Sequence, residues 1–342
     1  MFKSTFDFNI DQIDDVYRIK VDIPWSLQYI SIYFFEYKGK KILFDSGFNM
    51  TNWGELFFSA LKKLNLSILD IDYCFISHNH TDHVGLAPIF KRENPNIKIL
   101  MSEITAKTLE WETKEGNYLK IEAEAQKIAD QMIMYGFNKK QSRKVVQFLS
   151  FWPKQRQYQE PDIYLHDGDV LLDDLEVIWT PGHSFGHICL FHREKRYLFC
   201  GDHILSRITP HIGNYVIPKF LTEQYPEYGF ENILKHYLIS LDKIDELNPK
   251  IIFPAHQDII FDPHKRISEI KEHHKNRLAE ISGVIKKKPL TPLKISRLHF
   301  GEDLDETNSY LALSETLAHL KLLEQQNKVE TMKKDGKILY YG

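Results

Sequence analysis

The stretch SHNHTDHVG sets His78, His80, Asp82 and His83 within six positions, directly after the apolar run IDYCFI. Three imidazoles and a carboxylate at the end of a strand-like run form a metal-ligand cluster. Neutral imidazole suits zinc, iron and related ions, and a carboxylate adds a hard anionic ligand. Three more groups of the same kind stand at the ends of later apolar runs: His183 in VIWTPGHSFGH, Asp202 in YLFCGDHIL and His256 in IIFPAHQD. Each run leads through a small or turn-forming residue to the ligand-type side chain, which is how a rigid sheet delivers groups to one shared edge. The chain carries 16 histidines, and these clusters beside acidic residues account for the excess.

The elements that position these groups alternate in type. VYRIKVDI, YISIYFFEY and KKILFDSGF read as successive strands turning at Gly39, rich in β-branched and aromatic residues. WGELFFSALKKLNL has helical spacing, and a further helical stretch runs from about Val84 to Lys91. A strand NIKILMS follows, then a long helical region over about 103–152, strand pairs at 169–180 and 187–200, and a helix near 229–246. Within 103–152, Ile121, Ala125, Ile128, Met132 and Tyr135 recur three or four apart, as do Val145, Leu149 and Trp152. These amphipathic helices either cover the core or, with Trp111, Phe148, Phe151 and Trp152, cap a substrate cleft. A basic, His-rich helix spans 264–282, where His273 and His274 read as solvated. KKKPLTP then breaks the periodicity and marks a boundary, giving a catalytic domain over 1–282 and a small domain over 283–342. In the latter, Tyr310, Leu313, Leu317, Leu320 and Leu323 form a helical stripe, and Val329 to Tyr341 reads as a hairpin turning at Asp335-Gly336. Helices followed by a hairpin suggest a winged helix.

Composition narrows the function classes. A formal net charge of −3 argues against non-specific attraction to nucleic acid or an anionic membrane, which needs a strong positive field. The start MFKSTFDFNIDQIDD shows no basic segment followed by an apolar core, and no run approaches the ~18 apolar residues of a spanning helix. A cytoplasmic chain is the expectation. Cys74, Cys189 and Cys200 each sit in an apolar run with no C-x-x-C spacing, so they read as core residues and not as a disulfide or thiolate site.

H-x-H-x-D-H followed by a distant His, Asp and His in that order resembles the metallo-β-lactamase superfamily over about residues 15–260, and all seven positions match. The resemblance implies an α/β fold of the αββα sandwich type with a binuclear site: His78, His80 and His183 on one metal, Asp82, His83 and His256 on the other, and Asp202 bridging. It further implies two divalent ions ~3.5–4 Å apart whose shared water ionises near neutral pH, giving a hydroxide nucleophile, with Asp82 and Asp202 as the catalytic carboxylates. Zinc is the default metal, with iron and manganese as alternatives that His and Asp ligands accept. Asp45 in LFDSG is the candidate partner for a ligating imidazole, because the family has an Asp at the equivalent strand end; a turn-forming Asp is the plain alternative. His187, His203 and His211 are further candidates near the site, each weighed against an ordinary core or surface histidine.

Reaction type is less specified, since the superfamily hydrolyses thioesters, lactones, β-lactams and phosphodiesters. The resembling lactonases carry Tyr three residues after the bridging Asp, where this chain has Leu205. The filled second-metal positions speak against a mononuclear iron oxidase. The tail resembles that of glyoxalase II-like hydrolases and β-lactamase-like endoribonucleases. From Gly283 onward it holds ten Lys and Arg against eight Asp and Glu, which gives little net positive field for nucleic acid. It can equally pack on the core or pair two copies into a homodimer. The reading is a hydrolase for a thioester or ester-type small metabolite. A single-strand endoribonuclease is the first alternative and a non-catalytic binding module the second.

Overall fold

Alternating β-branched and aromatic residues put one row of side chains on each face of a strand, and this chain uses both faces. The computed structural model describes residues 6–24, 27–213 and 219–342. The amino-terminal stretch read for a leader begins at residues 1–5, outside the described residues. The first sheet opens as a meander of β1 (Phe8–Ile13), β2 (Val16–Asp22), β3 (Tyr29–Tyr37) and β4 (Lys40–Phe44). The parallel strands β5 (Tyr73–Ile76), β6 (Lys98–Ser102) and β7 (Ile163–Leu165) then extend it in chain order. Sequence reading missed β1, whose FNIDQI is only partly buried and carries a weak apolar alternation.

A second sheet is built from β8 (Val170–Leu171), β9 (Leu175–Trp179), β10 (Ile188–His192), β11 (Tyr197–Gly201) and β12 (Ile251–Pro254), in the order β12-β11-β10-β9-β8. Its strands pair antiparallel except β11 with β12, which run parallel. The two sheets face each other. Tyr33, Phe35, Ile42, Phe44, Phe75 and Leu100 of the first meet Val177, Leu190, Tyr197, Phe199 and Phe253 of the second, with Phe199 stacked on Phe35 at 4.7 Å and on Phe253 at 5.0 Å between ring centres. The opposite face of the first sheet, including Ile32, Leu43, Cys74 and Met101, is covered by Trp53, Phe57 and Leu61 of α1 (Trp53–Lys63) and Phe90 of α3 (Ala87–Glu93). Between these helices lies the single turn α2 (Thr81–Val84). The α/β class expected from the resemblance is present. All three cysteines are buried and unbridged, and burial pushes the Cys189 thiol up to about 12.

Backbone contacts divide the chain into two units. One runs to Trp111 and takes in Arg156–Pro210 and Lys243–Arg266; the other comprises Glu112–Gln155, His211–Asp242 and Ile267–Gly342. The helical region expected over 103–152 is three helices, α4 (Glu103–Thr113), α5 (Tyr118–Met134) and α6 (Lys139–Gln155). After them come α7 (Lys219–Gln224), α8 (Ile233–Leu247), α9 (Pro263–Ile285), α10 (Pro292–Phe300), α11 (Glu306–Gln325) and the hairpin β13 (Glu330–Lys334) to β14 (Lys337–Tyr341). The hairpin turns at Asp335 and Gly336, both with positive φ. Within the second unit, the apolar stripes of α5 and α6 (Ala129, Met132, Val145) are buried against Ile281, Leu293, Leu313, Leu317 and Leu320. Among the described residues no helix is long and apolar enough to cross a membrane.

The solvated reading of His274 fails: it is 1% exposed, facing inward although Lys271 and Arg277 stand three residues to either side of it. Its Nδ1 lies 3.1 Å from Nε2 of His319, and Nδ1 of His319 lies 2.8 Å from the carbonyl oxygen of Glu315. That carbonyl must accept, so His319 Nδ1 carries a proton and its Nε2 accepts from His274. Burial pushes His319 down to about 4 and His274 to about 2. Both imidazoles therefore fold neutral while the unfolded chain takes up protons below about 6.5, so their stabilisation is present above pH ~6.5 and is lost as pH falls toward 4. The unfolding free energy should decline across that window at up to ~1.4 kcal/mol per pH unit for each group, and His319→Gln should decline less steeply. Equal pH slopes in the two proteins would show that the pair is not the acid-labile element.

Candidate metal centre

β4 ends at Phe44, and Asp45 turns the chain at φ +66 while 0% exposed. A non-glycine residue in that region is held by its surroundings. Here the carboxylate accepts from Ser77 N–H at 2.7 Å and from Ser77 Oγ–H at 3.0 Å, and it lies 2.8 Å from His83 Nδ1. β5 stops at Ile76, so Ser77 and His78 lie at its carboxyl end, and the turn of α2 then carries Asp82 and His83. Nδ1 is engaged in His83 on Asp45, in His256 on the Tyr29 carbonyl at 2.7 Å, and in His78 on Ser77 Oγ at 2.9 Å. Each is left with Nε2 for other use.

The seven expected ligands fall into two groups whose ligand atoms lie within 4.8 Å of one another: His78, His80, His183 and Asp202, and Asp82, His83 and His256. Asp202 reaches both. Its Oδ2 is 3.3 Å from His183 Nε2 and 3.5 Å from His83 Nε2, and its Oδ1 is 3.5 Å from His256 Nε2. Asp82 Oδ2 lies 3.4 Å from His256 Nε2. Four buried atoms here have no hydrogen-bond partner: Nε2 of His78, His83 and His256, and Oδ1 of Asp202. Buried polar atoms are nearly always satisfied, so this set of imidazole nitrogens and carboxylate oxygens fits divalent cations.

The electrostatics differ between the two groups. Burial and neighbouring imidazoles push His78 and His80 well below the ordinary histidine range, which keeps each ring neutral with one nitrogen free of a proton for a metal. For His83, burial opposes protonation but Asp45, Asp202 and Asp82 outweigh it and hold the group high. Burial alone would raise Asp82; His83 and His256 bring it down to about 2, so it is ionised at neutral pH.

Other sites named from the sequence are placed as follows. His187 is fully buried, with Nδ1 2.8 Å from Thr180 Oγ1 and Nε2 3.3 Å from the Asp202 amide nitrogen. His203 is buried beside Asp202, and burial lowers it to about 3. His211 lies in the second unit, its Nε2 3.2 Å from Ser314 Oγ and its Nδ1 3.9 Å from Glu315. Ser77, which touches Asp45, His78 and His83, escaped sequence reading; a small polar residue just before the first His was its one signal. The loop bearing His183 is pinned at Gly186, whose carbonyl accepts from Ser102 Oγ and Thr105 Oγ1. A Cβ there would lie 2.4 Å from Thr105 Oγ1 and 2.5 Å from Thr105 N. Gly186→Ala should therefore lower stability by ~1–3 kcal/mol, read as a drop in the urea midpoint; an unchanged midpoint would mean the loop yields freely.

Residues 26–256 match the family described as Metallo-beta-lactamase superfamily, and residues 278–342 match Metallo-beta-lactamase-like, C-terminal domain. The chain belongs to the metallo-beta-lactamase superfamily. Family and His/Asp cluster together make it a metal-dependent hydrolase. A Bacillus subtilis protein named probable metallo-hydrolase YqjP is 24% identical over 96% of this chain and 98% of its own length. A Caenorhabditis elegans beta-lactamase-like protein 2 homolog is 30% identical over 77% of this chain and 68% of its own. The fold is shared with the metallo-beta-lactamase family protein TTHA1429 of Thermus thermophilus, with a TM-score of 0.76 at 23% identity over 96% of this chain and 99% of that one. It is shared too with a beta-lactamase domain protein of Burkholderia ambifaria, with a TM-score of 0.77 at 23% identity over 97% and 93%.

Proposed function

We propose that the chain hydrolyses a thioester or ester-type small metabolite at a binuclear centre. In this reading His78, His80 and His183 would hold one divalent ion and Asp82, His83 and His256 the other, with Asp202 able to serve both. The observation that carries it is the gathering of three buried, unpartnered imidazole nitrogens, drawn from both groups, with the unpartnered Oδ1 of Asp202. When bound, two divalent ions supply Lewis acidity toward a carbonyl oxygen and acidify water so that a nucleophile exists at neutral pH. The chain's own residues do the rest. Asp45, Ser77 and the Tyr29 carbonyl fix the imidazole tautomers, which spares reorganisation during turnover. Asp82, ionised and partly open to solvent, is assigned to take and pass on the proton lost by the attacking water. Zinc is the default ion. The name of the Bacillus relative, which matches nearly the whole chain, supports hydrolysis.

The test is elemental analysis of purified protein followed by assay against a thioester, a lactone and a single-stranded RNA. About two metals per chain with thioester or ester turnover is the expected result. RNA cleavage alone would move the chain to phosphodiester chemistry, and a metal-free, inert protein would mark a binding module.

A further inference from the structure

We propose that His187 is a positioning residue for Asp202, holding the backbone of the shared carboxylate through one specific imidazole tautomer. The inference rests on the binuclear reading of the site and names a residue that touches no expected ligand atom. His187 Nε2 faces the Asp202 amide, which can only donate, so this nitrogen is the acceptor at 3.3 Å. Nδ1 must then carry the proton and donate it to Thr180 Oγ1 at 2.8 Å. Thr180 is itself fixed to the same residue, its N–H donating to the His187 carbonyl at 2.9 Å. The Asp202 amide thus sets the tautomer, and the threonine hydroxyl, able to accept from Nδ1–H, holds the ring in place beneath Asp202.

Gly201 shows how tightly this floor is built. It sits at φ +48, and a Cβ there would come within 2.8 Å of His187 Nε2, Ser77 Cβ and Ser77 Oγ. The chain therefore passes directly over the imidazole and the serine before delivering Asp202, and a side chain at position 201 would push one of them aside. Asp202 must reach His183 and His83 with one oxygen and His256 with the other, at 3.3–3.5 Å. A small displacement of its backbone would move both oxygens away from both groups at once.

The test uses two substitutions that separate the ring's nitrogens. His187→Gln can place an amide oxygen near the position of Nε2 and still accept from Asp202. His187→Asn can place its amide near Nδ1, reaching Thr180 but not Asp202. The readout is cobalt(II) titration of the metal-depleted full chain, followed by visible absorption and elemental analysis. His187→Asn should bind cobalt ~10–100-fold more weakly with an altered spectrum, and His187→Gln should recover most of the affinity. Thr180→Val, which deletes the acceptor for Nδ1–H, should shift affinity in the same direction as Asn. Circular dichroism of each metal-depleted variant distinguishes a weak site from an unfolded chain. Wild-type affinity in His187→Asn overturns the proposal, and so does an equal loss in Asn and Gln, which would make the ring mere packing. A wild-type chain that takes up no cobalt overturns the reading of the site itself, and the proposal with it.

Discussion

Asp202→Ala is expected to leave the chain with little bound divalent metal and no measurable turnover. The two oxygens of this carboxylate face both groups, so in the proposed centre its loss takes a ligand from each at a single stroke. Residues that merely orient ligands typically cost ~10–100-fold in metal affinity or activity when removed, and a shared ligand should exceed that. Folding should survive, because the cores on either side of the first sheet do not include this residue. Elemental analysis before and after dialysis, with thioester turnover, checks both parts. Full activity in this variant would remove the two-metal mechanism.

Asp45→Ala carries the second largest expected effect, and it acts on both stability and metal. The substitution strands the Ser77 amide, the Ser77 hydroxyl and His83 Nδ1 in a fully buried place. Breaking a buried pair by removing one partner typically costs ~3–5 kcal/mol, so the urea midpoint should fall well below that of the parent. His83 would also lose the acceptor that turns its Nε2 toward Asp82 and Asp202, weakening metal binding ~10–100-fold. Competition with a chelator measures the latter. Asp45→Asn keeps the volume but turns an amide N–H toward one of the same donors, so it should not restore the parent. If asparagine restores both properties, the carboxylate is not what orients His83.

Much of this arrangement is legible in residue order. An apolar run ending in a small residue and then His or Asp announces a strand end with a polar group on it, and His78, Asp202 and His256 all stand that way. The facing rows of the two sheets follow from strict alternation in YISIYFFEY, where Tyr33 and Phe35 go to one side and Ile32 and Phe34 to the other. What escapes is whatever depends on distant segments meeting. The tautomer of His256 is set by a backbone carbonyl at Tyr29, to which no residue type can point. The burial of His274 depends on His319 arriving from another helix, and a charged helix shows no local sign of it. The stripes of α5 and α6 announced that something covers them, but not that Leu313 and Leu317, far along the chain, would do so.

The scattering of the ligand groups along the chain has a consequence for the newborn protein. His78, His80, Asp82 and His83 lie early, while His256 is carried at the end of β12, a strand that pairs with β11 only after most of the chain exists. At synthesis rates of about 5–20 residues per second, the first four side chains precede the last by roughly 10–40 s. Through that interval three imidazoles and a carboxylate would stand without their later partners, open to whichever divalent cation is most available. An ion captured that way would reflect the metal supply at the moment of translation, and a cell that needs one particular ion there would have to ration its competitors or leave the finished site able to exchange.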